Sequence, residues 1–366
     1  LGAYQGVATF ASTSLLNDGD FDLFVAKADS NGEWQWAIRD PSGIVEEFSH
    51  MIYNSDYLHL AFGSSTSIVG GMISTENGNW PSWSNQPDGN NAVSSLISED
   101  NQTRVIYNNR YIVYASDQAV KYVAESIEGV IQGGGITPDG GMIVVGTVGY
   151  DFSTPFVAKY NSLGEVEWFR PQSGQSYIQA SAGDDNGYSI VAGVFHGAAT
   201  FGDWNLISKN NGGTGYVGIL NETGAWQWVA TTGGTGDVNI RVVTPDGQGG
   251  VFVGGSVVST VDFGSQRTSS NYVEPFVAHL NSTGHWQWVT RADSDNWAHV
   301  NDIAVMSDGG IAVTGDFTYS LDWGSGGISS GSRSNAFVAR LNASGGAEWW
   351  ASIGHQGNYN DVGNAV

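Results

Sequence analysis

The sequence predicts an all-β propeller of six four-stranded antiparallel blades, with seven as the alternative, and three observations predict it. An aromatic-Val-small phrase followed about ten residues later by Trp recurs through the 366-residue chain. Gly supplies 52 residues while only 13% are charged, the balance of many short strands joined by tight turns. The two ends of the chain hold complementary parts of one repeat.

The phrase reads Phe24-Val25-Ala26-Lys27 with Trp34-Gln35-Trp36, Phe156-Val157-Ala158-Lys159 with Trp168, and Tyr216-Val217-Gly218-Ile219 with Trp226-Gln227-Trp228. It returns as Phe276-Val277-Ala278-His279 with Trp286-Gln287-Trp288 and as Phe337-Val338-Ala339-Arg340 with Trp349-Trp350; a degraded copy begins at Ala92-Val93. The leading positions 24, 92, 156, 216, 276 and 337 are 60 to 68 residues apart, close to one blade.

Within each unit, strand A ends in a turn such as Thr137-Pro138-Asp139-Gly140-Gly141 or Ser307-Asp308-Gly309-Gly310, where Gly supplies positive φ. Strand B is an apolar run ending in Gly, as in Ile190-Val191-Ala192-Gly193. Strand C carries the Phe-Val-Ala phrase and turns at Asn-x-x-Gly into strand D, which carries Trp. Trp residues two apart are expected on one face of D, forming walls between blades.

Gly2 to Phe10 matches Gly193 to Phe201 in a strand B, and Asn360-Asp361-Val362 aligns with Asn301-Asp302-Ile303 in a strand A. The termini are therefore expected to share one blade, which leaves no sheet edge exposed. The expected blades are 1–40 with 357–366, 41–108, 109–172, 173–232, 233–292 and 293–356. Residues 65–126, which include Trp80 and Trp83, read as an insertion and a candidate contact loop.

These motifs, from the Asp-Gly-Gly turn to Phe-Val-Ala-Lys/Arg-Leu-Asn-x-x-Gly-x-x-x-Trp, closely resemble the exported bacterial and archaeal β-propeller repeat family called SBBP. The resemblance spans nearly the whole chain, implies export and is almost silent on activity; SBBP arrays are usually seven-bladed. The C–D turns also resemble a loosened Asp box of sialidase propellers. The nine Arg are scattered, however, without the cluster that sialidase chemistry requires.

A net charge of −23 opposes nucleic-acid and anionic membrane partners, and the absence of Cys excludes disulfides and thiolate zinc. No apolar stretch is long enough for a membrane-spanning helix, and a start at Leu1 suits an exported chain whose leader has been removed. Aligning strands A by their turns puts Ser49, Gln132, Gln179, Asn239, Asn301 and Asn360 in one ring at a central channel, able to bind a ligand or to tie neighbouring blades together. His50, Asp237, His299, Asp302 and Asp361 lie near it. Asp18, Asp20 and Asp22 form an acidic turn suited to Ca²⁺, although no cofactor is required. Asn101, Asn221, Asn281 and Asn342 head glycosylation sequons, three of them in C–D turns.

The expected function is a non-enzymatic extracellular or cell-surface binding and adhesion propeller that engages a glycan or protein. The alternatives are a surface-layer or filament subunit assembled by strand sharing, and a glycan-active hydrolase or lyase at the channel mouth.

Overall fold

The computed structural model describes residues 1–17, 21–39, 48–54, 57–64, 67–76, 78, 82–86, 93–99, 102–107, 110–114, 120–123, 129–148, 154–208, 213–324, 326–354 and 360–366. Among them the regular elements are strands, and pairing groups these into four separate four-stranded antiparallel sheets, a nine-stranded sheet in which two four-stranded meanders are joined, a five-stranded sheet, and the hairpin of Val7–Phe10 with Thr13–Leu16. The first joins Val362–Gly363 to Gly2–Tyr4, Asp22–Ala28 and Trp34–Arg39, with Gly2 opposite Gly363. Four-strand units then begin at Phe48, Val93, Gly129, Ser173, Asp237 and Ala298.

Seven such groupings can be traced among the described residues, where the period leads to six and, as the alternative, to seven. The difference lies in 65–126, which the sequence marks as an insertion. There Ser67–Ser74 and Ser82–Gln86 complete one meander, while Val93–Glu99, Gln102–Tyr107, Arg110–Tyr114 and Val120–Val123 form another. Two-residue hairpins, with Asn54 opposite Tyr57, Glu99 opposite Gln102 and Tyr107 opposite Arg110, shorten both units and erase the period.

Turn chemistry explains most of the repeated residues. At the C–D turn, the Oδ1 of Asn281 accepts from the Thr283 amide at 3.1 Å, the His285 amide at 3.0 Å and the Thr283 hydroxyl at 2.8 Å. Asn221 and Asn342 do the same, and Asp29 holds the backbone part of the pattern. At the A–B turn a carboxylate binds backbone amides and also a nitrogen-bearing side chain from strand C: Lys159 to Asp139 at 2.6 Å, His279 to Asp246 at 2.8 Å, and Arg340 to Asp308.

The two Trp residues of a D strand face opposite sides, contrary to the spacing argument. Trp226 pairs with Leu220 and Trp228 with Ile219, so a bulge at Gln227 supplies one extra residue and reverses the second ring. Trp226 meets Phe201 of its own sheet at 5.5 Å, whereas Trp228 lies over the C–D turn of the next sheet. There its indole N–H donates to the Ser282 carbonyl at 3.1 Å, and a Cβ on Gly284 would sit 2.8 Å from the ring. The same indole bond joins Trp168 to Glu222, Trp288 to Ala343 and Trp349 to Ser30. Four sheets, those carrying Trp168, Trp228, Trp288 and Trp349, are thus latched to the sheet that holds the receiving turn, whereas the Trp36 ring lies over Gly78 with its indole N–H unpaired.

Apolar cores lie between sheets. Ile178 packs with Ile143 and Val145 of the preceding sheet, and Ala180 with Ile240 and Val253 of the following one. The A strands of successive sheets adjoin one another.

Candidate functional site

The adjoining A strands carry the candidate ring. Ile178, Ile240 and Val300 pair with Gly193, Gly255 and Gly315, and the next residue in each strand is an unpaired bulge. A Cβ on any of these three glycines would sit 1.9 Å from the carbonyl oxygen of Tyr177, Asn239 or His299. Only Gly permits that approach, which is why strand B ends in Gly.

The bulge position holds Gln132, Gln179, Arg241 and Asn301. Ser49 occupies the same register without a bulge, beside the Phe48 to Gly63 pair. In the terminal strand Asn364 takes this place: its amide and that of Ala365 both donate to the Leu1 carbonyl, at 2.9 and 3.2 Å. Two ring assignments therefore shift. Asn239 lies two residues ahead of the bulge, level with Tyr177 and His299, while Asn360 lies four ahead, level with Gln175, Asp237 and Trp297.

The cause is a turn resemblance. Thr137-Pro138-Asp139-Gly140 and Thr244-Pro245-Asp246-Gly247 look alike, but their five-residue turns begin at Thr137 and at Asp246. Counting from the B-strand Gly instead finds Arg241.

Open positions alternate with buried ones along these strands. Gln175, Tyr177, Gln179, Asp237 and Arg241 are exposed, Asn239, Trp297, His299 and Asn301 half-buried, and Ser176, Ile178, Val238, Ile240, Ala298 and Val300 buried. Hydrogen bonds link the open side chains from strand to strand. Gln179 donates from Nε2 to Asn239 Oδ1 at 2.9 Å and accepts the Ile240 amide at 3.3 Å. Arg241 donates to Asn301 Oδ1 at 2.6 Å, and Asn301 donates to Asp316 at 2.7 Å and to the Gly363 carbonyl at 2.9 Å.

Burial, reinforced by Arg241, pushes His299 down to about 4, so its ring is neutral at physiological pH, and it meets Trp297 in a tilted contact with centroids 5.5 Å apart. Burial raises Asp302 to about 6, against the opposing pull of the Val366 and Ile303 amides. Burial also raises Asp316, opposed by Asn301 and then Arg241.

Other candidates lie elsewhere or outside the described residues. Trp80, Asp18, Asp20 and Asn101 lie outside them, and for Trp83 only backbone pairing with Gly71 is described. Asp22 is buried, 3.9 Å from Arg39. Among the described residues no three His, Asp or Glu side chains converge on a metal-sized site. His50 and Asp237 lie on A strands, and Asp361 accepts the Gln5 amide at 3.2 Å.

Successive four-stranded meanders with adjoining A strands and indole latches between sheets define a protein of β-propeller type. No family model matches the chain, and no curated protein matches it. Among solved structures it is similar to a Bacteroides caccae protein of unknown function, at 12% identity and TM-score 0.44 over 84% of this chain and 99% of that one. Kuenenia stuttgartiensis hydrazine synthase matches at 15% identity and TM-score 0.46, over 63% of this chain and 67% of that one. The Neurospora crassa Pan2 WD40 domain matches at 12% identity and TM-score 0.46, over 87% and 88%.

Proposed function

We propose that the chain is a seven-bladed ring of the SBBP type, closed by pairing of its first and last strands, and that it acts as an exported, non-enzymatic binding propeller. Its ligand, a glycan or a protein surface, meets the open positions of the A strands around Tyr177, Asn239 and Arg241. The observation that carries this reading is a division of labour within the repeat. The Trp, Gly, Asn and C-strand cation positions recur because each makes a blade contact, whereas the open A-strand positions differ from blade to blade. A position that reads a ligand must differ in this way, since every blade of a ring meets a different part of an asymmetric ligand.

The residue types favour binding. Exposed Tyr with carboxamides combines a rigid apolar ring with adaptable hydrogen bonding, the composition of many recognition surfaces. Hydrolysis by paired carboxylates gains no support, because Asp237 is the one acid among the nine open positions. Strand sharing between molecules gains none either, since Gly363 pairs with Gly2 of the same chain.

Binding of the full chain to a panel of neutral and acidic oligosaccharides tests the reading. Tyr177→Ala and Asn239→Ala should each weaken capture about tenfold with an unchanged circular dichroism spectrum. Undiminished capture by both variants would refute the site. Release of reducing ends would favour the hydrolase, and a concentration-dependent polymer in light scattering the assembly subunit.

A further inference from the structure

We infer that the ligand of this face is a carboxylate-bearing sugar of the uronate class, anchored by Arg241; the inference rests on the glycan-binding reading above. The chain carries 13 basic and 36 acidic side chains, so a cation is readily matched by a neighbouring acid. Lys159, Arg267, Arg291 and Arg340 each ion-pair with carboxylates. Lys27 and Arg170 instead donate to backbone carbonyls, and Arg241 donates to the neutral Asn301 amide oxygen, with Asp316, engaged by Asn301, acting on it only from beyond that amide.

That arrangement leaves the guanidinium suited to a ligand anion. Asn301 engages one nitrogen and so orients the plane, while the remaining N–H groups form a fork that matches a carboxylate in two-point contact. Neutral His299 brings no competing cation to the site. Beside Arg241 on the same strand, Asn239 accepts from Gln179 and so keeps its own Nδ2 donors for a sugar hydroxyl. Tyr177, 56% exposed on the neighbouring strand, offers a ring face for the C–H face of a pyranose. Arg241, Asn239 and Tyr177 stand at open positions of two neighbouring A strands and suit a single uronate residue, while the net charge of −23 opposes an extended polyanion; a neutral sugar would leave the cation unused.

Calorimetry with paired probes tests this: oligogalacturonate, oligoglucuronate and oligomannuronate, each against its methyl ester. At least one acid should bind at least tenfold more tightly than its ester, because the ester keeps every hydroxyl and loses only the charge. Arg241→Gln should abolish that preference, Arg241→Lys should keep part of it, and Tyr177→Ala should weaken acid and ester alike. Equal affinity for every acid and ester pair, or a preference that survives Arg241→Gln with the fold intact by circular dichroism, overturns the carboxylate assignment. In that case binding of neutral glycans through Tyr177 still stands; a chain that binds no glycan, charged or neutral, overturns both readings.

Discussion

The indole latch makes a prediction with its own internal control. Gly284 sits at φ 76° under the Trp228 ring, and a Cβ there would approach the ring to 2.8 Å. Gly284→Ala therefore combines left-handed backbone strain of about 1 kcal/mol with a similar cost for displacing the indole. Trp228→Ala removes a half-buried ring and one hydrogen bond, a loss of about 2–3 kcal/mol, below the full cost of a buried Trp. With the ring gone, Gly284→Ala should cost only the strain, so the double variant should be about 1 kcal/mol more stable than the summed single effects. Gly247 is the control: its φ is 75° and a Cβ there would meet nothing within 4 Å, so Gly247→Ala should cost about 1 kcal/mol and be additive with Trp228→Ala. Urea unfolding followed by circular dichroism measures all five variants. Additivity of Gly284→Ala with Trp228→Ala to within about 0.4 kcal/mol would refute the latch.

Two further predictions concern titration and the turns. His299, held at about 4 against an ordinary 6.5, stays neutral in the fold while the unfolded chain takes up a proton, so its contribution to stability falls as pH drops from about 6.5 to 4. Asp302, at about 6 against 3.8, holds a proton in the fold that the unfolded chain releases, so its contribution falls as pH rises through that window. The Asp302 contribution is about 3 kcal/mol and that of half-buried His299, screened by solvent, is about 1–2 kcal/mol, and they oppose each other. Asp302→Asn should leave stability rising with pH between 4 and 6, and His299→Gln should leave it falling; slopes of the same sign in denaturant midpoints would refute the assignment. In the C–D turn, Asn281→Ala should cost about 1–3 kcal/mol for the lost amide bonds, while Asn281→Asp should cost under 1 kcal/mol, because Asp29 already performs that role in the first unit. Equal losses in thermal melts of the unglycosylated chain would show that the turn does not depend on the side-chain oxygen.

The repeat is legible where one residue type serves one contact in every unit. Trp latches, Asn-x-x-Gly turns and B-strand glycines recur because each satisfies a geometric demand that no other residue meets as well. Unit count is illegible between 48 and 123 for the same reason: only two residues separate paired strand ends such as Glu99 and Gln102 or Tyr107 and Arg110, and the Asn-x-x-Gly spacing is absent from the segment. The candidate ring is half legible. Polar A-strand residues stand out, yet a bulge adds a residue without any mark in composition, so Asn239 is matched to Gln179 by type while Arg241 occupies the equivalent place.

Variation within the scaffold is compensated inside the chain. Phe263 meets Trp286 edge to face in the sixth unit; in the seventh Trp323 replaces the Phe and Ala347 the Trp, keeping the large and small volumes matched across one core. Lys159, His279 and Arg340 exchange freely because each still meets a turn Asp. In the fifth unit Ile219 replaces the cation, and Asp184 is held by the Asn186 and Tyr188 amides and the Asn186 side chain. The open A-strand positions follow a different rule. Tyr177, 56% exposed, replaces Asn239 or His299, and exposed Arg241 replaces Gln179 or Asn301 with no carboxylate at ion-pair distance, Asp316 acting on it only from beyond Asn301. Uncompensated change on an exposed surface has no cost within the fold, so folding does not determine which residues stand there. Under the proposed function, an asymmetric ligand spanning adjacent blades would select Tyr at one blade and Arg at the next.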